Sequence, residues 1–541
     1  MAHTAHTDTF ARDNLPPADQ WPEFRFDRPE LEYPERLNCA TVLIDEAVAE
    51  GHGDRVALRS TDATWTYREL LEQANRIAHV LRDDMGLVPG NRVLLRSANN
   101  PMLAACWLAV MKAGGIAVTT MPLLRANELR VIAEKSRVSH ALCDARLAGE
   151  LETAIGGSGT PVNAMTFGGG ELEEAAAGKP AVFDNVDTTS DDVCVLAFTS
   201  GTTGQPKATM HFHRDVLAMA DTFARHVLRT RPEDVYLGSP PLAFTFGLGA
   251  LLAFPLRFRA STAFLEAPTP RAVLEAIRSM RITCLLTAPT MYRALMAELD
   301  EYDLSSLEQC VSAGEPLPKS TSDGWYDATG IRIIDGIGTT ELIHIFISAA
   351  GEDIRPGATG LPVPGYTACV LDDDDRPLPP GNTGRLAVKG PTGCRYLADA
   401  RQRDYVVNGW NVTGDTYRVD EDGYFWFEAR ADDMIISAGY NIAGPEVESA
   451  LLEHPAVVEC AVVASPDPER GHIVKAFVVR SREYEAAGEE LVSELQDFVK
   501  QRIAPYKYPR KIEWIDTLPK TQTGKVQRFR LREMERAAAE V

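Results

Sequence analysis

Hydrophobic and polar positions along the first third of the chain predict alternating helices and strands. A capping box, Thr66-x-x-Glu69, opens an amphipathic helix. Residues 92–97 then form an apolar run typical of a buried strand, 101–115 have the length and closing glycines of a helix, and 116–121 form a second apolar run. Strand–helix–strand units of this kind predict a mainly parallel sheet covered by helices.

Further apolar strands are predicted at 192–200, 283–289, 308–314 and 331–338, and each ends in a cluster of Gly, Ser, Thr or Pro. Open α/β sheets bind their ligands at the carboxyl ends of the strands. We therefore expect a binding site where these clusters meet.

The pattern restarts beyond about Ala431 as a compact α+β unit. A helix begins near Pro445, two strands and a helix follow within 457–503, and a last strand is predicted at 511–516. The size of this unit is typical of an independent domain. The fold class expected is thus α/β, with a large N-terminal domain over 1–431 and a small α+β domain over 432–541.

Composition and charge narrow the class of protein. The 541 residues are 45% hydrophobic and carry a formal net charge of −22, which is typical of a globular protein that nucleic acid and anionic membranes repel. No apolar run reaches the length of a membrane span, and the first residues lack a secretory pattern, so a cytoplasmic protein is expected. The nine cysteines never form CxxC and are predicted to be reduced packing thiols. The sequence does not fix the oligomeric state, and a homodimer stays open.

Residues 198–210, FTSGTTGQPKATM, alternate glycines and hydroxyls after a strand and end near a lysine. A P-loop of the Walker type needs Gly-Lys-Ser/Thr, whereas here Pro206 precedes Lys207 and Ala208 follows it. A loop of this composition can still wrap a triphosphate with backbone N–H groups and hydroxyls, while Lys207 supplies positive charge.

This string resembles the phosphate loop of the adenylate-forming superfamily, which includes acyl-CoA synthetases, peptide-synthetase adenylation domains and firefly luciferase. Ala208 departs from the usual glycine. Other segments resemble the family's motifs in the expected order: 312–318, 335–341, 357–365, 410–415 and 428–433, the last with Ala429 in place of the usual glycine.

The resemblance implies a role for individual residues. Asp335 would lie by the adenine amine, Asp415 and Arg430 by the ribose, and Thr340 and Glu341 by the phosphates, with Glu341 as a ligand of Mg²⁺. The residues implied in ATP and AMP binding are Thr199, Ser200, Gly201, Thr202, Thr203, Lys207, Gly314, Glu315, Pro316, Asp335, Gly336, Ile337, Gly338, Thr340, Asp415, Arg430 and Lys525.

The C-terminal segments resemble the mobile part of the same family. Asp432 matches the family's hinge, and 437–448 resembles the loop that meets the thiol arm of coenzyme A, which implicates Gly439 and Tyr440. Residues 518–528 resemble the family's last motif, whose lysine, here Lys525, contacts the substrate carboxylate and the α-phosphate. Lys525, Thr340 and Glu341 are therefore the implied catalytic residues.

Segments 241–250, 287–293 and 336–360 look most like benzoate- and 2-aminobenzoate-CoA ligases. Such a resemblance implies an aryl-acid pocket, and its residues would be Phe244, Thr245, Phe246, Gly338, His344 and Ile345. We expect His344 to contact the substrate carboxylate and Thr245 to contact an ortho amino group. On this basis 2-aminobenzoate is preferred over benzoate, with hydroxybenzoates also open.

The function implied is an ATP-dependent ligase that forms an aryl-adenylate and then the aryl thioester of coenzyme A, releasing AMP and pyrophosphate. An adenylating enzyme that loads a carrier protein would share every ATP motif. A nucleotide sensor would be expected to lose Glu341 or Lys525, and a luciferase-like enzyme would need a larger pocket than Phe244 and Phe246 suggest.

Overall fold

The computed structural model describes residues 3–156, 161–199, 206–430, 433–437, 440–467, 470–485, 488–503, 505–521 and 524–539. The strands are β1 (Val56–Arg59), β2 (Thr64–Thr66), β3 (Arg92–Arg96), β4 (Ile116–Thr120), β5 (His140–Asp144), β6 (Asn163–Phe167), β7 (Val193–Thr199), β8 (Lys207–Phe212), β9 (Val235–Gly238), β10 (Ser261–Ala263), β11 (Cys284–Thr287), β12 (Gln309–Ala313), β13 (Ile333–Gly338), β14 (Ile345–Ser348), β15 (Leu361–Pro362), β16 (Thr367–Leu371), β17 (Thr383–Lys389), β18 (Val406–Val407), β19 (Trp410–Val419), β20 (Phe425–Arg430), β21 (Met434–Ser437), β22 (Tyr440–Ala443), β23 (Val457–Asp467), β24 (Gly471–Arg480) and β25 (Lys511–Trp514).

The α-helices are α1 (Phe10–Asp13), α2 (Tyr67–His79), α3 (Pro101–Lys112), α4 (Ala126–Ser136), α5 (Ala148–Gly156), α6 (Glu171–Ala177), α7 (His213–Met219), α8 (Thr245–Leu248), α9 (Phe254–Arg257), α10 (Pro270–Met280), α11 (Pro289–Met296), α12 (Lys319–Thr329), α13 (Gln402–Tyr405), α14 (Gly444–Leu452), α15 (Glu489–Arg502) and α16 (Arg528–Ala539).

Two large sheets confirm the predicted α/β fold. One has six strands in the order β6-β5-β3-β4-β7-β8, and the other has nine in the order β15-β14-β13-β12-β11-β9-β10-β1-β2. The central pairs are parallel, and antiparallel strands lie only toward the edges. Both sheets contribute to one hydrophobic core, in which Val93 of β3 and Leu286 of β11 belong to the same buried cluster.

The predicted helix after Thr66 is confirmed as α2. The Thr66 side chain accepts a hydrogen bond from the Glu69 backbone N–H, and the Glu69 carboxylate accepts one from the Thr66 N–H, which completes the capping box. Helix α3 follows β3 and is buried along almost its whole length, so it lies within the shared core. Asn100 caps it by accepting from the Leu103 N–H.

A third sheet was not predicted. Strands β16, β17, β19 and β18 form an antiparallel sheet in that order, with β20 paired to β19. These strands are only partly buried and are separated by turns rich in Gly and Pro, so their apolar runs are too short to stand out in the sequence. This sheet carries two of the predicted site residues.

The C-terminal α+β elements are present as predicted. Strands β21 and β22 form a hairpin, β23 and β24 pair in antiparallel register, and β25 adds in parallel to β24. Helices α14 and α15 pack on this small sheet through their own buried cluster, which includes Val447 and Leu495. Among the described residues, these strands pair only with one another. Mixed α/β architecture with a large N-terminal and a small C-terminal domain is thus established.

The cysteines agree with a further expectation. All nine cysteines are unpaired and eight of them are buried, as expected for packing thiols. Within the described ranges, no helix is long and apolar enough to cross a membrane.

Candidate active site

The two ends of the predicted phosphate loop are held together by a strand pair. Strands β7 and β8 are antiparallel, and Thr199 lies opposite Lys207 in their register. The loop residues Ser200, Gly201, Thr202 and Thr203 lie outside the described residues. Ala208 is fully buried within β8, where its backbone is extended, so this position has no need of a glycine.

The carboxyl ends of β12 and β13 bring the predicted adenine-binding segments side by side. These strands are parallel neighbours, with Ser312 opposite Asp335 and Ala313 opposite Gly336. Gly314 follows β12 with a φ of 88°, a conformation that favours glycine, and Glu315 and Pro316 continue the turn. Ligands of open α/β sheets bind at such strand ends.

The carboxyl of Asp335 is a weaker acid than an ordinary aspartate. Burial raises the pKa of its carboxyl to about 7, and a hydrogen bond from the Gly336 backbone opposes this rise only in part. Since a carboxylate can accept a hydrogen bond from an amine, a nearby donor would favour the ionised form.

Gly336 and Gly338 are required by the neighbouring strand β14. A β-carbon at Gly336 would lie 2.8 Å from the Ile345 Cγ2 atom, and one at Gly338 would lie 2.6 Å from the backbone carbonyl of His344. Gly338 is also paired directly with Ile345. Both glycines therefore allow β14 to approach, which fixes the position of His344, the residue before the strand.

Glu341 is buried in the turn Thr340–Leu342 and contacts a residue that the sequence did not indicate. Its Oε1 atom accepts a hydrogen bond of 2.5 Å from the Tyr396 hydroxyl, and that hydroxyl accepts one of 3.2 Å from the Lys207 Nζ. The predicted phosphate lysine and the predicted metal ligand are thus joined through one phenol. A buried carboxylate linked in this way to the predicted phosphate lysine has the chemistry of a Mg²⁺ ligand.

The two predicted ribose residues face each other across β19 and β20. Asp415 lies opposite Arg430 in the register, and the Oδ1 to Nη1 distance is 3.6 Å. Asp415 is buried, so its carboxylate is held in place and can accept two hydroxyl hydrogen bonds. Ala429 is a buried strand residue opposite Thr416, and its departure from glycine leaves this pair in register.

Lys525 reaches the same cleft from the C-terminal part of the chain. A β-carbon at Gly314 would lie 3.8 Å from its Cε atom. The side chain keeps solvent contact, yet the surrounding protein lowers its pKa by desolvation, which the charge of Glu315 opposes and that of Arg430 reinforces. Lys525 in turn opposes the rise that burial causes in the Glu315 pKa. The structure therefore brings Lys525 to the predicted nucleotide residues.

The buried imidazole of His344 lies among three aromatic rings, of which Phe246 is a predicted aryl-acid residue. The His344 ring centroid lies 5.6 Å from that of Phe246, 5.6 Å from Phe223 and 4.5 Å from Phe254. Neither of its ring nitrogens makes a hydrogen bond of ordinary length and angle in the described part of the chain, although the Phe246 backbone interacts with the ring. Burial lowers the pKa of His344 to about 3, with the Phe246 backbone opposing this in part, so the imidazole is neutral at ordinary pH. A neutral imidazole retains one N–H to donate.

A strained residue directs His344 into this cluster. Ile343 has a φ of 64°, which is costly for a β-branched side chain and persists only where the surroundings impose it. Thr339 helps to impose it, since its side chain accepts from the Leu342 N–H and lies 3.1 Å from the Tyr405 hydroxyl.

The other aryl-pocket predictions lie on two elements. Phe244 precedes α8 and is half-buried, and Thr245, the first residue of α8, is buried. Ile345 is buried with its side chain over Gly336. Asp432 and Gly439 lie outside the described residues, and Tyr440 is described only as backbone, opposite Ser437.

The sequence did not indicate Tyr396, Gly249, Phe223 or Phe254. Phe223 and Phe254 lie in helical segments whose apolar pattern is that of any core. Tyr396 lies in a segment without a motif. Gly249 is the exception, because a glycine inside an apolar helix signals close packing. A β-carbon there would meet the His344 ring.

Comparisons with known proteins show which family the chain resembles. The family described as AMP-binding enzyme matches residues 45–396, and the AMP-binding enzyme C-terminal domain matches 446–525. The chain is 36% identical to a benzoate–CoA ligase of Thauera aromatica over 515 residues, 93% of this chain and 97% of that protein. It is also 36% identical to an uncharacterized acyl–CoA ligase of Bacillus subtilis, over 87% of this chain and 90% of that protein.

Two solved structures are similar over nearly the whole chain. The anthranilate CoA ligase AuaEII in complex with anthranoyl-AMP superposes with a TM-score of 0.91 at 34% identity, covering 95% of this chain and all of that one. A benzoate CoA ligase from Burkholderia xenovorans superposes with a TM-score of 0.84 at 31% identity, covering 92% of this chain and all of that one.

Proposed function

The chain belongs to the AMP-binding enzymes, as an acid–CoA ligase of the adenylate-forming kind, and we propose that it activates 2-aminobenzoate or benzoate. The products would be the aryl-CoA thioester, AMP and pyrophosphate. The N-terminal domain over 1–431 would bind ATP and the aryl acid, and the domain over 432–541 would move between the two half-reactions.

One observation carries this proposal: Lys525 lies in the cleft formed by the nucleotide residues of the N-terminal domain. Its Cε atom is beside Gly314, and the charges of Glu315, Arg430 and Asp415 all act on its pKa. A lysine held there can stabilise negative charge that develops on the α-phosphate. This arrangement suits the adenylation step.

In the first half-reaction, a carboxylate oxygen of the aryl acid attacks the α-phosphorus of ATP and pyrophosphate leaves. Glu341 would hold Mg²⁺, which offsets negative charge on the phosphate oxygens. Lys207 would contact the phosphates, while Asp335 accepts from the adenine amine and Asp415 holds the ribose. His344 would donate its single N–H to the substrate carboxylate, since neither ring nitrogen makes a hydrogen bond of ordinary length and angle among the described residues.

In the second half-reaction, the thiol of coenzyme A attacks the carbonyl of the aryl-adenylate and AMP leaves. Rotation about Asp432 would withdraw Lys525 and bring the segment 437–448 to the cleft. Gly439 and Tyr440 would then contact the thiol arm. Hinges of this kind are a few backbone positions far from the chemistry.

The aryl assignment is supported by the residues around His344. Phe223, Phe246 and Phe254 surround the imidazole, and flat aromatic surfaces suit an aryl ring. The relatives named above as benzoate and anthranilate CoA ligases support the same class of acid. Thr245 offers a hydroxyl for an ortho amino group, and on that ground we place 2-aminobenzoate ahead of benzoate.

The alternative is an enzyme that transfers the same aryl-adenylate to a carrier protein. It would share the nucleotide site and differ only in the acceptor. Turnover with free coenzyme A distinguishes the two functions, because a carrier-loading enzyme would release pyrophosphate without forming aryl-CoA.

The test is pyrophosphate release with ATP, Mg²⁺ and a panel of benzoates, aminobenzoates, hydroxybenzoates and medium-chain acids, followed by addition of coenzyme A. We expect release with 2-aminobenzoate and benzoate and conversion to thioester. The proposal would be refuted if none of the aromatic acids in the panel supported pyrophosphate release.

A further inference from the structure

Tyr396 lies between the two groups that meet the triphosphate in the proposed function. Its hydroxyl is 3.2 Å from the Lys207 Nζ and 2.5 Å from Glu341 Oε1, and the Lys207 Nζ lies 4.8 Å from the centre of its ring. Resting on that proposed function, we propose that Tyr396 is a positioning residue that holds Glu341 and Lys207 in register for Mg·ATP.

The direction of the two hydrogen bonds is fixed by chemistry. The Lys207 ammonium can only donate, so the Tyr396 oxygen accepts from it, and the phenolic proton must point to Glu341, whose carboxylate can only accept. A phenol held in this way has one orientation.

The backbone on either side keeps Tyr396 in place. The Met210 N–H donates to the Arg395 carbonyl at 2.8 Å, and the Leu397 N–H donates to the Ala208 carbonyl at 2.9 Å, so this segment lies along β8 beside Lys207. The side chain of Arg395 forms a fully buried ion pair with Asp215.

A side-chain amide adds to this anchor. The Tyr396 N–H donates to Gln402 Oε1 at 2.9 Å, and the tyrosine is only 1% exposed. The phenol is therefore a fixed point next to Lys207.

The consequence concerns the free side of Glu341. Tyr396 occupies Oε1, and in the described part of the chain Oε2 receives no protein hydrogen bond. A carboxylate held by one oxygen can present the other to a cation with little loss of orientation. Groups that orient a metal ligand in this way typically change metal affinity or activity by about 10- to 100-fold when they are removed.

Tyr396→Phe tests the proposal because it keeps the ring and removes the hydroxyl. Tyr67→Phe is the matched control, since Tyr67 is also fully buried and donates one hydrogen bond, of 2.7 Å, to the Ala260 carbonyl. Each protein is titrated with ATP in a calorimeter twice, once in the presence of Mg²⁺ and once in the presence of EDTA. These titrations give equilibrium affinities that need no turnover. We expect Tyr396→Phe to weaken Mg·ATP binding by about 10-fold, with less than about a threefold change in EDTA, and Tyr67→Phe to change neither.

A second measurement distinguishes an effect through Glu341 from a general loss of structure. Tyr396→Phe is also made in a Glu341→Gln background, where the positioned carboxylate is gone. If Tyr396 acts through Glu341, the change adds nothing to the Mg²⁺ dependence there, whereas a general loss of structure would add in both backgrounds. Equal Mg·ATP affinity for Tyr396→Phe and the wild type, or an equal added loss in both backgrounds, would overturn the inference. Wild-type protein that releases no pyrophosphate with any acid would instead refute the proposed function.

Discussion

The imidazole of His344 fills the space that a side chain at Gly249 would need. A β-carbon at position 249 would lie 2.4 Å from its Cδ2 atom and 2.6 Å from its Nε2 atom. The ring that we assign to the substrate carboxylate can therefore occupy this position only because the neighbouring helical segment has no side chain there.

We therefore expect Gly249→Ala to displace His344. Overpacking a dense core costs about 1–3 kcal/mol, and the ring is the group most able to yield. Pyrophosphate release should show a fall in kcat/KM for benzoate of about tenfold or more, while the KM for ATP stays unchanged. Gly178→Ala is the control, because a β-carbon there meets nothing within 4 Å. An unchanged kcat/KM in Gly249→Ala would mean that His344 does not position the acid.

Thr245→Val should change the preference between two substrates. The substitution keeps the volume and removes the hydroxyl that we assign to the ortho amino group. One neutral hydrogen bond is worth about 1 kcal/mol, so the ratio of kcat/KM for 2-aminobenzoate to that for benzoate should fall roughly fivefold. If the ratio does not move, Thr245 does not contact the amino group.

The raised pKa of Asp335 predicts how nucleotide binding depends on pH. With a pKa of about 7 in the free enzyme, its carboxyl is mostly protonated at acidic pH and ionised above neutrality. Because the ionised form is the better acceptor for an amine, ATP affinity should rise with pH through about 7, by up to roughly tenfold.

Asp335→Asn separates this effect from the titration of ATP itself. The ratio of wild-type to Asp335→Asn affinity, measured by calorimetry between pH 6 and pH 8, cancels what the nucleotide contributes. We expect that ratio to increase with pH. A flat ratio would contradict the role of Asp335 at the adenine.

The two half-reactions should respond to different substitutions. Lys525→Ala should slow adenylation by about 10²-fold, the scale of removing one electrostatic stabiliser, and should affect thioester formation from synthetic aryl-AMP far less. Asp432→Pro should do the reverse, because proline fixes φ at the hinge position.

Lys500→Ala is the control, since Lys500 pairs with Asp497 on an exposed helical face of the same domain. Equal damage to both steps in Lys525→Ala, or an unaffected second step in Asp432→Pro, would refute the two-conformation mechanism.

The sequence predicted what is locally encoded. The capping box at Thr66 and the apolar runs of β3, β12 and β13 depend on neighbours along the chain, and each lies where expected. The family resemblance also anticipated that Asp415 and Arg430 would be close together, although the sheet that pairs them was not predicted.

Contacts between distant segments could not be predicted from the sequence. Tyr396 meets Glu341 and Lys207 only because its segment adds to the edge of β8. The packing of Gly249 on His344 joins a helical segment to the residue before β14. No spacing along the chain encodes either contact.

One measurement tests the central claim most directly. Wild-type protein is given ATP, Mg²⁺, coenzyme A and equal concentrations of 2-aminobenzoate, benzoate and decanoate, and mass spectrometry measures the initial rate of each CoA thioester. Under competition these rates give the ratio of kcat/KM values, and a pocket walled by aromatic side chains should favour the aryl acids over decanoate by at least about tenfold. We predict that 2-aminobenzoyl-CoA forms fastest and benzoyl-CoA next. Decanoyl-CoA as the main product, or adenylates that never become thioesters, would contradict an aryl-CoA ligase.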